Sequence, residues 1–158
     1  MTYYRHMDCP VGRLLVAGDD AGLSLIRFPK GSRPDVPESH WVKARKPLEE
    51  AVHQLEAYFA GKLKNFSLNV YLDVTPFQKK VLTALQQIPY GETVSYGELA
   101  EKIGNPLASR AVGQANARNP IPIVIPCHRV VGSNGTLTGF GGGIGVKQAL
   151  LDLEQRHR

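Results

Sequence analysis

Between residues 119 and 126 the chain reads Asn119-Pro120-Ile121-Pro122-Ile123-Val124-Ile125-Pro126, and no other stretch limits its folding as much. Each proline locks its own φ, and each pushes the residue before it toward extended backbone. The segment is therefore expected to be stiff and extended, holding the next residues a set distance from the preceding helix. Those residues are Cys127-His128-Arg129-Val130. A cysteine is a strong nucleophile only as thiolate, and a neighbouring imidazole can help remove the proton. The alternative for a lone cysteine is a buried, inert side chain. Adjacent residues of an extended segment point to opposite sides. A proton relay from Cys127 to His128 thus needs a local turn or a bridging water.

Composition removes several function classes. With 158 residues, 42% of them hydrophobic, the chain can pack one domain or two small ones. Cys9 and Cys127 are the only cysteines, with no Cys-x-x-Cys, which excludes a disulfide framework and argues against a zinc site. No metal is expected. The N-terminus lacks an apolar run, and nothing approaches the roughly 20 apolar residues of a membrane span. A cytoplasmic location fits a free thiol kept for chemistry. The net charge of +5 is uneven: residues 1–74 carry 10 Lys/Arg against 9 Asp/Glu, residues 75–158 carry 9 against 5. A basic C-terminal half suits a polyanion such as DNA, although many basic surfaces bind nothing specific.

The first third reads as antiparallel strands, Gly12–Gly18 and Gly22–Phe28, joined by the turn Asp19-Asp20-Ala21-Gly22. A loop from Pro29 to Pro37 precedes a helix over about 47–60, with Leu48, Val52, Leu55 and Phe59 at helical spacing. This half is expected to be a small α/β domain without chemistry of its own. Residues 62–72 connect, with room for one more strand. Thr75 can cap a helix whose buried stripe would be Phe77, Val81, Leu82, Leu85 and Ile88.

Ser95-Tyr96-Gly97-Glu98 is a capping box that opens a helix with Leu99, Ala100 and Ile103 inward. Gly104-Asn105-Pro106 breaks it, and a second helix is expected over about 106–118. Helix, short turn and helix form a helix-turn-helix pattern. Ala108, Ala111 and Ala115 share one side of the second helix, while Arg110, Gln114 and Arg118 share another. Small residues allow close approach to a groove and arginines reach phosphates or bases; a plain surface helix is the competing reading. The last helix, about 146–156, would bury Val146, Ala149, Leu150 and Leu153. Glu154 borders that face and makes His128 a reasonable partner, completing a Cys–His–Glu relay.

Val94-Ser95-Tyr96, Ser109-Arg110-Ala111-Val112-Gly113, Asn119-Pro120, Pro126-Cys127-His128-Arg129-Val130 and the Gly-rich 139–143 occur in one order at one spacing. Together they resemble the O6-alkylguanine-DNA alkyltransferases, also called methylated-DNA–protein-cysteine methyltransferases. The resemblance covers about residues 75–154. It implies a ribonuclease-H-like α/β domain over 1–72 and a mainly α, winged helix-turn-helix domain over 73–158.

The resemblance also implies a mechanism. The second helix enters the minor groove of double-stranded DNA, and O6-alkylated guanine is flipped out beside Cys127, because a stacked base hides its target atom. Arg110 matches a finger residue that fills the gap, and Tyr96 a tyrosine that drives the rotation. Ser95, Gln114 and Arg118 join them on the DNA side. Cys127 takes the alkyl group, with His128 acting through a water and Glu154 behind it. Asn119 matches an asparagine that braces the active-site turn. The Val130 carbonyl would accept from the guanine amine, and the Gly141 N–H would donate to O6. A thioether is not readily hydrolysed, so each molecule acts once, without cofactor. The expected form is a monomer, open to cooperative assembly along DNA. Phe140 departs from the pattern: many members carry a tyrosine there, whose hydroxyl assists the leaving oxygen.

Three rivals fit parts of this pattern. A damage-binding relative that flips guanine without repairing it would lack the nucleophile that Cys127 supplies. A transcription regulator would leave the Cys127, His128 and Glu154 set unexplained. A cysteine hydrolase would need an oxyanion hole and a direct Cys–His contact.

Overall fold

The apolar runs of the N-terminal region pair as expected, but with an additional partner. In the computed structural model, which describes residues 1–158, β2 (Gly12–Asp19) lies between β1 (Tyr3–Cys9) and β3 (Gly22–Arg27), antiparallel to both. A two-residue β4 (Val42–Lys43) adds parallel to β1, giving the order β3-β2-β1-β4. β1 is invisible to a search for apolar runs: of Tyr-Tyr-Arg-His-Met-Asp-Cys only Met7 is buried. β2 is the reverse case. Leu14 to Ala17 are all buried, so both faces of the strand are covered.

Glu49 and Glu50 stand at the positive end of α1 (Glu49–Phe59), which a short 3₁₀ turn over Lys46–Leu48 introduces. Gly61, with φ of 76°, stops it. Leu48, Val52 and Leu55 point inward as predicted, but Phe59 is only partly covered and Tyr58 is the aromatic that is fully buried. The connection from α1 to the next helix supplies one isolated strand-like contact. Leu23 donates to the Asn69 carbonyl and accepts from the Tyr71 N–H.

Helix α2 (Pro76–Leu85) begins with Thr75 accepting from the Gln78 N–H at 3.1 Å. Its stripe is Val81, Leu82, Ala84 and Leu85; Phe77 is 36% exposed, because a first-turn position lies beyond the reach of the core. Ser95 and Glu98 make both bonds of the capping box at the start of α3 (Tyr96–Lys102). The next helix, α4, runs Ser109–Ala117, three residues later than its sequence suggests. Residues 105–108 instead form a turn closed by the Ala108 N–H on the Asn105 carbonyl at 3.0 Å. On α4 the buried residues are Val112, Ala115 and Asn116, while Ala111 is exposed. The last helix, α5 (Ile144–Arg156), buries Leu150 and Leu153 but also Lys147 and Glu154, and leaves Ala149 exposed.

The largest departure lies in the proline segment, which is not extended throughout. Ile123 has φ of 74°, and the Val124 N–H bonds the Pro122 carbonyl at 2.9 Å, so the chain makes a γ-turn. That geometry is costly for a β-branched residue. The surroundings hold it: the Ile26 N–H of β3 donates to the Pro120 carbonyl, and Ile121, Ile123 and Ile125 are all buried. The prolines fix φ only at their own positions, and three apolar side chains with somewhere to be buried decide the rest.

A cluster of 28 buried residues includes Leu14, Leu55, Leu82, Val112, Ile125 and Leu153. The N-terminal sheet and the C-terminal helices therefore share one continuous core. No helix is long and apolar enough to cross a membrane.

Candidate active site

Cys127 opens a single 3₁₀ turn, Cys127–Arg129, that runs into β6 (Val130–Val131), the parallel partner of β5 (Val94–Ser95). This turn replaces the back-to-back geometry of an extended Cys-His pair. Its position is set by two asparagines. Asn119 donates to the Ile125 carbonyl at 2.7 Å and accepts from the Ile121 N–H at 3.0 Å, spanning the γ-turn. Asn116, buried on α4, donates to the Cys127 carbonyl at 3.3 Å. Helix α4 and the cysteine are thereby coupled through side chain and backbone.

The Cys127 side chain is buried but forms part of the wall of an open cavity that Phe28, Asn119 and Phe140 also line. Burial pushes its thiol up to about 11; a hydrogen bond from Asn119 and the charge of Lys147 act the other way and lose. The resting group is a neutral thiol, so a base must take its proton before it can attack.

His128 is fully buried, and its Nε2 lies 2.6 Å from Glu154 Oε2. Burial opposes the charge of Glu154, yet His128 and Arg129 outweigh it and hold the carboxyl well below the usual range. Burial in turn lowers His128, beyond what the carboxylate restores. An ionised carboxylate only accepts, so the neutral imidazole must carry its proton on Nε2. Nδ1 is left as a bare, buried lone pair with no protein partner. That is the form a general base requires.

Both titrations give stability the same sign. Folding keeps His128 neutral and Glu154 ionised, whereas the unfolded chain binds protons near 6.5 and 4.5 respectively. The unfolded state then holds more protons, so stability is lost as the pH drops through that window. The urea midpoint is expected to stay level between about pH 7 and 8, decline below about 6.5 and drop more steeply below about 4.5. A flat midpoint between pH 7 and 4 would contradict this pairing.

Glu154 gathers five donors. Oε2 accepts from His128, from Tyr58 Oη at 2.7 Å and from Arg129 Nη2 at 3.0 Å. Oε1 accepts from Arg129 Nε at 2.9 Å and from the Gly91 N–H at 3.0 Å. Arg129 Nη1 also donates to the Ile88 carbonyl at 2.7 Å. Sequence reasoning assigns Arg129 and Tyr58 no role. It gives Lys147 none either, although a lysine three residues before Leu150 on an amphipathic helix is a visible anomaly. The Lys147 Nζ donates to the Val130 carbonyl at 2.5 Å and the Thr138 carbonyl at 2.9 Å. Burial lowers its basicity against the opposing effect of Cys127.

Tyr96 stands at the first turn of α3, its hydroxyl donating to the Thr138 carbonyl at 3.2 Å, with Lys147 Nζ 6.0 Å from its ring centre. Phe140 lines the cavity and packs on Phe28 with ring centres 5.5 Å apart. Gly141 accepts at its carbonyl from the Ser32 N–H at 2.7 Å. The N-terminal region thus supplies Phe28, Gly31, Ser32 and Arg33 to the wall around Cys127, a contribution that its sequence does not show. Arg110 and Gln114 are exposed on α4, and Ser95 is committed to capping α3. Arg118 is exposed at the end of α4, and its carbonyl accepts from Arg33 and Gln78. No group of three or more His, Cys, Asp or Glu side chains is placed to hold a metal.

Known proteins match this chain from end to end. Residues 2–72 match the family model described as the ribonuclease-like domain of 6-O-methylguanine DNA methyltransferase. Residues 76–156 match the DNA-binding domain of the same family. A methylated-DNA–protein-cysteine methyltransferase of Methanosarcina acetivorans is 54% identical over 153 residues, covering 96% of this chain and 97% of that protein. One from Mycolicibacterium paratuberculosis is 50% identical, covering 99% and 94%. The crystal structure of Mycobacterium tuberculosis OGT in complex with DNA superposes with a TM-score of 0.91 at 48% identity, covering 98% and 94%. A two-domain architecture, an N-terminal domain followed by a DNA-binding domain, is common to these matches, and the chain belongs to the 6-O-methylguanine DNA methyltransferase family.

Proposed function

We propose that this protein repairs O6-alkylated guanine in duplex DNA by direct reversal, moving the alkyl group to its own Cys127. The observation that carries this is a buried thiol on a cavity wall, followed in the same turn by a histidine whose Nδ1 is bare and whose Nε2 is tied to an ionised Glu154. Through a bridging water, Nδ1 takes the thiol proton. The thiolate attacks the O6-alkyl carbon in line; the C–S bond forms, the C–O bond breaks, and the proton is returned to guanine. The thioether stays, so each molecule acts once and needs no metal or diffusible cofactor.

Residues 1–72 form a ribonuclease-H-like α/β domain and residues 73–158 a winged helix-turn-helix domain, in which α3 and α4 are the two helices. The match boundaries at 72 and 76 support that division. Helix α4 lies in the minor groove with Ser95, Gln114 and Arg118 on the DNA side, and Arg110 fills the place of the flipped guanine. Tyr96 meets that base. The Val130 carbonyl, already accepting from Lys147, has a second lone pair for the guanine amine, and the Gly141 N–H serves O6. Asn119 holds the turn that carries Cys127. The protein works in the cytoplasm as a monomer that can line up cooperatively along DNA.

The test is intact mass spectrometry after mixing with a duplex containing O6-methylguanine. A gain of one methyl group mapped to Cys127 is expected; DNA binding without that gain would refute the reading. Phe140→Tyr restores a hydroxyl near O6 and is expected to speed transfer about fivefold, the worth of one hydrogen bond of about 1 kcal/mol. Quenched-flow rates of the two proteins on the same duplex measure it.

A further inference from the structure

Tyr58 belongs to α1, outside the segment that carries the cysteine. It is fully buried, with Phe59, Phe66 and Tyr90 rings 5.3, 5.5 and 6.2 Å from its own. For packing alone, phenylalanine would serve and would leave no hydroxyl to satisfy. The hydroxyl's partner is the oxygen that also accepts from His128 Nε2, at 2.7 and 2.6 Å respectively.

We propose that Tyr58 is a positioning residue for alkyl transfer: its hydroxyl holds Glu154 Oε2 against His128 and, by sharing that oxygen's charge, sets how strongly His128 binds a proton. The inference rests on the relay reading above. Oε2 divides its negative charge among Tyr58, His128 and Arg129 Nη2. The other charged or titratable groups facing the pair are Lys147 of α5, Cys127 of the same turn and Tyr90, whose ring stands against Tyr58 and Arg129. When His128 takes the thiol proton, the imidazolium depends on Oε2. A donor removed from that oxygen leaves more charge for the imidazolium and raises the basicity of His128. The N-terminal domain therefore tunes a base that lies in the other domain.

Tyr58→Phe keeps the ring and its aromatic neighbours, and single-turnover transfer from an O6-methylguanine duplex is followed against pH. The acid limb of the profile, where His128 becomes protonated, is expected to move up by roughly half to one pH unit, one hydrogen bond's equivalent. The rate then falls about fivefold below the midpoint and little above it. An unmoved limb, or a loss equal at every pH, would overturn the proposal, since either result reduces Tyr58 to packing. His128→Ala is measured alongside. If it transfers at the unsubstituted rate, the relay itself has failed; if it is slow while Tyr58→Phe keeps its limb, only the role of Tyr58 has. Should Tyr58→Phe not fold, the unsubstituted sequence carries the test. Replacing its tyrosines with 3-fluorotyrosine, a stronger donor, must lower the pKa of His128 read from its ¹⁵N signals, and an unmoved value overturns the proposal.

Discussion

Truncating Glu154 to alanine is expected to remove about 3–5 kcal/mol of folding stability, the usual cost of breaking a buried ion pair from one side. Five donors converge on this carboxylate, and its loss leaves Arg129 Nε and Nη2, His128 Nε2, Tyr58 Oη and the Gly91 N–H without their acceptor. A stability of about 5–15 kcal/mol leaves little margin for that loss. Glu154→Gln is the milder change, because its oxygen can still face Arg129. Its amide then presents N–H groups to the His128 and Tyr58 donors, so alkyl transfer suffers even where the fold survives. Urea unfolding with transfer measured on the same preparations separates the two effects. Less than 1 kcal/mol lost in Glu154→Ala would mean that the network is not held together at this residue.

Arg110→Ala is expected to slow repair of duplex DNA about 30-fold while leaving reaction with a free O6-alkylguanine base almost unchanged. Arg110 is exposed on α4 and touches nothing in the Cys127 cavity, so its removal leaves the thiol and its relay intact. Extracting a base costs a few kcal/mol of stacking and pairing. A side chain that fills the gap returns about 2 kcal/mol of this, and that figure sets the factor. The free base needs no extraction. Equal losses on both substrates would show that Arg110 does not act in the duplex.

The parts of the site that are legible in the sequence are those whose chemistry is local. The Ser95–Glu98 capping box needs only its own four residues and forms as written. Cys127, His128 and Glu154 can be linked because a nucleophile needs a base and a buried carboxylate needs a partner, and His128 and Glu154 do meet at 2.6 Å. Tyr58 escapes notice since nothing near it in sequence marks it; its partner lies 96 residues away. Arg129 and Lys147 are hidden for a related reason. In sequence each is one cation among many, and only packing shows both buried on specific acceptors.

The proline segment shows most clearly where local rules end. Prolines 120, 122 and 126 restrict the backbone, but the left-handed turn at Ile123 lies between them and carries its cost only inside the surrounding core.

Sequence by itself determined the residue types of the chemistry, the capping box that opens α3, the strand pairing of the first apolar runs and the order of the motifs. Each of these stems from short-range backbone preference or from reactivity intrinsic to a side chain. Tertiary structure alone decided that Cys127 rests as a neutral thiol, that His128 leaves Nδ1 bare, and that the N-terminal half walls the cavity and reaches Glu154 through Tyr58. These depend on desolvation and on which distant groups converge, and neither is encoded within any one stretch of chain.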